Sequence, residues 1–443
     1  MRNALWLDSL IIDEEPRDVE IYGRIRWRCS PANTIDHCLK CGVSADRLYK
    51  HGASPKKYAD LPAHGHHVYI CVWVQRYRCR ECGGTFDHPL PEMDDNRKMT
   101  KRCLAYVCEH GKRRTFADIA REIGVDEKTI RNVCKEGFVE ALGERDYGSP
   151  KILGIDELML AGGLRAIFVD VGAKRTLDII EDRKKWQVAR WISQLDRSNV
   201  EIVTMDMTQH YRDVCRANIP RAAIIIDKFH VIRMADFALK TARNRVRRGA
   251  SGAARRNPWG NVRMLQRSRH TLTPMEKMIV DGLCKNNPLV GMAYQAKESF
   301  RDIWKAGSRD DAERMFNEWC AALPDEMDRD FGHIARTIDR HWREEVFAYF
   351  DYPATNAYVE NRNGIIKMAN RLGRGYSFET IRAKALLAPT MGKMKACDHC
   401  DTATPAKTLR KVTASDGWTG DVCGNCHFDF HKMQQQFTAT ETA

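Results

Sequence analysis

The sequence predicts a multidomain chain in four parts: a small β module, a helical module, an α/β core with an α-helical insertion, and a small C-terminal module. Three observations carry this reading. Paired cysteines stand near both ends, a tight two-helix pattern follows the first set, and short aliphatic runs alternate with amphipathic stretches in the middle. At 443 residues the chain exceeds one compact core and fits roughly three domains of about 150 residues each. Its 43% apolar content is enough to bury cores, which excludes a chain disordered throughout. The net charge of +13 favours a polyanionic partner through phosphate neutralisation and counterion release, although a merely soluble basic protein shows the same balance.

No run approaches the ~18 apolar residues that span a bilayer, so no membrane partner is expected. The opening MRNALWLDSLIIDEEPRD turns acidic where a secretory leader needs a basic region. The expectation is a cytoplasmic, nucleoid-associated protein. Disulfides are rare in that compartment, so the 16 cysteines need another explanation. Half of them form four Cys-x-x-Cys pairs, the pattern of metal sites. The rest (Cys29, Cys71, Cys103, Cys108, Cys134, Cys215, Cys284 and Cys320) are expected to be ordinary buried thiols.

In residues 1–95, Cys38 and Cys41 precede Gly42, and Cys79 and Cys82 precede Gly83 and Gly84. Each pair sets two thiolates on one tight turn, and two turns complete a tetrahedral Cys₄ zinc site. A redox pair is the rival, disfavoured by the repeated knuckle glycines. Apolar alternation in HHVYICVWVQRYRC predicts a strand leading to Cys79, hence a zinc ribbon with one extended hairpin. His51, His64, His66, His67 and His88 read as surface or DNA-facing residues, since four thiols already close the site. Residues 96–147 contain TFADIAREIGVDEKTIRNVCKEG. Phe116, Ile119, Ala120 and Ile123 form an apolar face, Gly124 the turn, Val125 a plug, and Ile130 and Val133 the anchor of the next helix. This helix-turn-helix leaves Lys128, Arg131, Asn132 and Lys135 outward as a groove-reading set; a structural helical hairpin is the bland alternative.

After Gly148-Ser149-Pro150, the runs KILGIDELML, LRAIFVDVG and RTLDIIED predict three strands. A helix (RKKWQVARWISQLD), a strand (VEIVTMDM), a helix (QHYRDVCRANI) and a strand (AAIIID) follow. The order β-β-β-α-β-α-β is that of the ribonuclease-H-like fold, assigned to 151–390 with a helical insertion at about 237–350. Between Asp236 and Glu276 stand ten Lys and Arg and no acid, among them Arg247, Arg248, Arg255 and Arg256. This stretch reads as a clamp on DNA phosphates or as a solvated helix face with a flexible loop. Residues 391–443 carry Cys397, Cys400, Cys423 and Cys426, a second Cys₄ zinc candidate. His399, His427 and His431 are possible substitutes, and the last dozen residues are expected to fray.

Hydrolysis of a phosphodiester by two metal ions needs hard oxygen ligands around the scissile phosphate. Asp156 lies at the centre of the first core strand, and Asp206 ends the fourth, which should lie beside it. A carboxylate inside an apolar run is costly without a cation. The third acid is Glu360 in ATNAYVENRNGIIKMANRLGRGYSF, where Asn356 reads as an N-cap and Glu360, Asn363, Gly364 and Lys367 share one helix face. Asp170 and Asp178 read as edge or turn residues, and Glu157 should face away from Asp156. Asp227, at the head of Asp227-Lys-Phe-His230, competes with Asp206.

The ribbon ending RYRCRECGGTF, the two-helix pattern, ILGIDE, VTMDMTQHYRDV, IIIDKFHVIRMA and TNAYVENRNGIIK with RGYSF after it together resemble the ISL3-type insertion-sequence transposases. The resemblance covers most of the chain. It implies a catalytic triad of Asp156, Asp206 and Glu360, with Asp227 and His230 as an Asp-x-x-His signature in support. It also implies two Mg²⁺ (or Mn²⁺) ions besides structural zinc, strand cleavage and strand transfer on terminal inverted repeats and target DNA, and a homodimer or higher assembly. The C-terminal cysteine pairs are not associated with every family member. A DNA-binding regulator derived from such an enzyme, and a nuclease that cuts without joining, are the alternatives.

Overall fold

The computed structural model describes residues 5–19, 24–143, 145–249, 262–354 and 356–388, with four short strands beyond them: Met394–Ala396, Ala403–Pro405, Arg410–Thr413 and Thr419–Val422. The chain divides into two compact units, Met1–Glu144 with Ala383–Ala443, and Arg145–Arg382.

The first unit begins with β1 (Leu10–Val19), β2 (Arg24–Pro31), β3 (Leu48–Ala63), β4 (His66–Cys79), β5 (Thr85–Asp87), β6 (Met93–Asp94) and β7 (Met99–Thr100). They form one sheet in the order β1-β2-β4-β3-β7-β6, with β5 on β4. The expected extended hairpin is β3 and β4, antiparallel from Leu48 opposite Cys79 to Ala63 opposite His66. Its period of two is visible in β4: Val68, Ile70, Val72 and Val74 are buried while Trp73 is exposed. Ile70, Val72 and Val74 share a core with Leu7, Leu10, Cys29, Tyr58 and Met93. Two of the histidines read as surface residues depart from expectation. His88 is buried, and His67 turns inward, its Nε2 2.8 Å from the Arg121 carbonyl.

Three helices complete the unit: α1 (Lys101–Gly111), α2 (Phe116–Ile123) and α3 (Glu127–Leu142). Thr115 caps α2 by accepting from the Asp118 amide, and Asp126 caps α3 by accepting from the Lys128 amide. Phe116, Ile119, Ala120, Ile123, Ile130, Val133, Cys134 and Phe138 are buried, the pattern read from the sequence. Gly124 ends α2 at φ 81°. There a Cβ would meet the His67 ring at 2.6 Å, so both conformation and space demand glycine.

The second unit is built on β8 (Ile152–Leu160), β9 (Gly163–Asp170), β10 (Arg175–Ile180), α4 (Lys185–Ser193), β11 (Ile202–Met205), α5 (Gln209–Asn218), β12 (Ala223–Ile226) and α6 (Lys228–Gly249). Its five-stranded sheet runs β10-β9-β8-β11-β12, the first three an antiparallel meander and the last two parallel to β8. Trp191 of α4 stacks on Phe168 of β9 with ring centroids 3.7 Å apart; burying such an aromatic pair supplies roughly 2–3 kcal/mol per side chain. Asp178 stands on an edge strand, β10, as read from the sequence. It is buried there, accepting from Tyr147, Trp191 and Arg382, and so ties the sheet to its covering helices.

Beyond α6 the chain is helical: Pro274–Asn286, Pro288–Asp302, Arg309–Ala321 and, after two π-helical turns, Arg343–Asp351. Phe300, Phe316, Trp319, Phe331 and Phe347 fill the interior. Fully buried Lys297 donates to the carbonyls of Leu265 and Arg267 at 2.7 and 3.0 Å, pinning the chain there. The helix Ala357–Leu372 belongs to this unit, and the division between the units falls within the helix Phe378–Leu387.

Candidate functional site

Parallel pairing sets the site. Ile155 of β8 lies opposite Met205 of β11, and Met205 lies opposite Ile226 of β12. The next residue on each strand is an acid: Asp156, Asp206 and Asp227. Three carboxylates therefore stand in one row across adjacent parallel strands, Asp156 within β8 and Asp206 and Asp227 just past the ends of β11 and β12. No sequence pattern reveals this row, because it depends on register. The helix Ala357–Leu372 carries Glu360 to the same place. Burial first, then the charge of Asp206 and, further down, that of Glu360 push the Asp156 carboxyl up to about 7. Asp227, almost wholly buried, is raised by burial and then by Glu360 and Asp206, and its Oδ1 has no hydrogen-bond partner.

Each acid has a neighbour. Asn363 Nδ2 donates to Asp156 Oδ2 at 2.6 Å, and His230 Nδ1 sits 3.1 Å from Asp206 Oδ2. The Asp206 contact raises the His230 pKa. Arg233, which sequence reasoning missed, reaches Glu360 at 3.2 Å; it lies one turn past His230 on α6, a spacing that could have found it. The stripe expected on the last helix divides. Asn363 is buried toward Asp156, while Glu360, Gly364 and Lys367 face solvent. Asn356 sits at the cap position but its side chain does not cap. Its Oδ1 instead accepts from Thr204 of β11 at 2.5 Å, clamping helix to strand beside the acids. Glu157 faces away, paired with Arg183 at 2.9 Å, and Asp170 caps the turn after β9 by accepting from the Ala173 amide.

Crowded carboxylates, one with an orphaned buried oxygen, are the donor set of hard divalent cations. Among the described residues they do not converge on one point: only the Cys quartet places its ligand atoms all within 4.8 Å of one another. In that quartet, Cys38 and Cys82 sulfurs are 3.9 Å apart and Cys41 and Cys79 sulfurs 3.7 Å. A tetrahedron with Zn–S bonds of ~2.3 Å has edges of about 3.8 Å, so the thiols fit zinc without rearrangement. Gly42 and Gly83 follow each pair at φ 75° and 66°, as the knuckle turns require.

A family model described as a transposase matches residues 153–385, more than half of the chain. The chain belongs to the ISL3-type transposases. A second model, the zinc-finger of the transposases of IS204, IS1001, IS1096 and IS1165, matches residues 36–82 and contains all four thiols of the quartet. The transposase is also 23% identical over 376 residues to the transposase for insertion sequence element IS1001 of Bordetella parapertussis, an alignment spanning 80% of this chain and 91% of the relative.

The other residues singled out in the transposase sequence are placed as follows. On α3, Lys128, Arg131 and Lys135 are exposed and Asn132 half-buried; Arg131 pairs with Glu127 at 2.7 Å. Tyr69 and His67 of β4 bond the carbonyls of Gly124 and Arg121, so the sheet braces the turn before α3. The basic stretch is thinner than its sequence suggests. Arg245, Arg267 and Arg269 are held by Asp330, Glu276 and Asp281, whereas Arg247 and Arg248 are exposed. Arg255 and Arg256 lie outside the described residues, as do Cys397, Cys400, Cys423 and Cys426 and the terminal tail. The unpaired cysteines Cys29, Cys103, Cys134 and Cys215 are buried, and Cys71, Cys108, Cys284 and Cys320 partly so. Among the described residues no helix is long and apolar enough to cross a membrane.

Proposed function

We propose that this transposase cuts DNA at the terminal inverted repeats of its insertion sequence and joins the freed ends to target DNA, using Asp156, Asp206 and Glu360 on a ribonuclease-H-like core. The observation that carries the reading is the row Asp156–Asp206–Asp227 across three adjacent parallel strands, with Glu360 brought to it. Asp156, Asp206 and Glu360 would hold two Mg²⁺ or Mn²⁺ ions, which would supply Lewis-acid polarisation of the scissile phosphate and activation of the attacking hydroxyl. The chain's own side chains orient the ligands. Asn363 fixes one oxygen of Asp156, His230 holds Asp206, Arg233 turns Glu360, and the Asn356–Thr204 bond keeps the helix at its distance from β11. Asp227 supports the row, and Lys367 meets an adjacent phosphate.

The domain reading that goes with this is a ribbon in 1–95, a helix-turn-helix in 96–147, the catalytic domain in 151–390 and a second zinc module in 391–443, bound by Cys397, Cys400, Cys423 and Cys426. Helix α3 enters the DNA groove with Lys128, Arg131, Asn132 and Lys135, and Arg247, Arg248, Arg255 and Arg256 clamp phosphates. Because two ends must be joined, the working form is a homodimer or larger, acting on cytoplasmic, nucleoid-bound DNA.

The test is cleavage and joining of repeat-ended DNA with Mg²⁺ or Mn²⁺, comparing wild type with Asp206→Asn and Asp227→Asn. Asp206→Asn is expected to lose at least 10³-fold in rate while binding DNA normally, and Asp227→Asn to lose roughly ten- to a hundredfold, the range seen for outer partners of metal ligands. A dead Asp227→Asn beside an active Asp206→Asn would exchange the two roles. Binding without cutting under every metal condition would favour the regulator, and cutting without joining the simple nuclease.

A further inference from the structure

The RGYSF turn, singled out in the sequence, has no part in the acid site, yet two elements lead from that site to it. Along β8, Leu160 lies four residues beyond Asp156, about 13 Å at ~3.3 Å per residue. Along the helix Ala357–Leu372, Asn370 lies ten residues beyond Glu360, about 15 Å at ~1.5 Å per residue. The far ends meet, for the Ala161 amide donates to Asn370 Oδ1 at 3.4 Å. There the hairpin tip and the turn enclose a groove of about 610 Å³, lined among others by Gly162, Arg165, Asn370, Arg374 and Gly375.

The solvent side of the same helix presents Glu360, Gly364, Lys367 and Arg371 at helical spacing, followed by Arg374 in the turn. Lys367, Arg371 and Arg374 are exposed, and none of them is engaged by an acid among the described residues. Arg165 differs. It is spent internally on the carbonyls of Leu160 and Glu181 and on the Phe378 ring, 4.7 Å from its guanidinium, so it shapes the groove wall. Gly364 is the telling position. A Cβ there would meet nothing within 4 Å, so packing does not require glycine, and glycine inside a helix costs about 1 kcal/mol against alanine. The glycine leaves the helix backbone bare and open to the outside between Glu360 and the first cation.

We propose that Gly364, Lys367, Arg371 and Arg374, with the groove beside the Gly373–Phe378 turn, form a phosphate track. It holds the sugar-phosphate backbone of DNA away from the cut, with the backbone lying directly on the helix at Gly364. Lys367 and Arg371 lie about 10 and 16 Å from Glu360 along the axis, three to five nucleotides of duplex at ~3.4 Å each. The track rests on the reading of Asp156, Asp206 and Glu360 as the cutting site, but its interactions are non-covalent and are read by binding alone.

The experiment uses full-length protein carrying Asp156→Asn, so that binding is measured without turnover. The probes are repeat-ended DNA and, separately, a target duplex offered to a precut end. Adding Arg371→Ala with Arg374→Ala is expected to weaken binding about tenfold and to lower the salt slope of log K by about 2, one unit for each phosphate that is no longer neutralised. Neutral methylphosphonates about five to six nucleotides from the cut, opposite Arg371 and Arg374, should weaken binding by the parent and leave the double variant unaffected. Gly364→Ala should fold with an equal or higher melting temperature and bind at least threefold more weakly. An effect confined to the repeat-ended probe makes the bound strand the element end, and one confined to the duplex makes it target. An unchanged slope, or methylphosphonate effects equal in both proteins, overturns the track. If Asp156→Asn still cuts, the acid assignment falls while the binding comparison stands.

Discussion

Asp156 shows what a single carboxyl costs when it is buried beside other acids. Its carboxyl is buried beside Asp206, and its pKa of about 7 lies well above the usual 3.8. Between those values the folded protein holds a proton that the unfolded chain has lost. The contribution of Asp156 to stability is therefore most favourable below pH 3.8 and is lost as pH rises through the window to about 7. Asp156→Asn removes the charge and keeps the shape. In protein stripped of divalent cations it should melt higher than wild type at about pH 7.5, by on the order of 1–2 kcal/mol, with the gap closing toward acid pH. The same substitution should abolish cleavage. Thermal melts across pH, with and without Mg²⁺, check this; a constant gap would mean that Asp156 is not the strained group. Asn363 and Asn356 make a related point. Both look like surface residues of a helix start, and both are buried as hydrogen-bond partners of the strands that carry the acids.

At the scale of elements, the turn between α2 and α3 concentrates several constraints. Thr115 and Asp126 cap the two helices, Gly124 takes a left-handed conformation, and β4 braces the turn through His67 and Tyr69. Gly124→Ala combines positive-φ strain with a clash against the His67 ring and should cost about 1–3 kcal/mol. Because the turn aims α3, the variant should also bind repeat DNA more weakly. Calorimetry and a binding titration test both, and an unperturbed melt would show that the brace yields. The helix and strand periods were legible here: β4, α2 and the core strands fall where alternation and caps put them. The two-strand element β1–β2 was not foreseen, since its ten-residue first strand is largely polar and carries no apolar alternation.

For the whole molecule, the division into two compact units separates metal-dependent stability from the acid site. The quartet Cys38, Cys41, Cys79 and Cys82 joins the loop after β2 to the end of β4. A strong zinc chelator should therefore lower the melting transition of the first unit and abolish recognition of repeat DNA. The transition of residues 145–382 should stay within a few degrees of its original position. Differential scanning calorimetry before and after chelation, with zinc release measured, reads both. A single transition that moves as one would show the units to be thermodynamically inseparable.

The sequence by itself determined the family, the zinc quartet, the order of strands and helices, and the identity of Asp156, Asp206 and Glu360 as candidates. Those features are local or rest on residue type: a cysteine turn, an apolar period, an acid that interrupts an aliphatic run. Only the tertiary structure decided that Asp227 stands in the same row as Asp156 and Asp206, because parallel register fixes which residues are neighbours. It also decided that Arg233 reaches Glu360, that Asn363 turns inward while Lys367 turns out, and that much of the basic stretch is spent on internal acids. Such pairings join residues far apart in the chain, and a period of 2 or 3.6 carries no information about which distant face a side chain will meet.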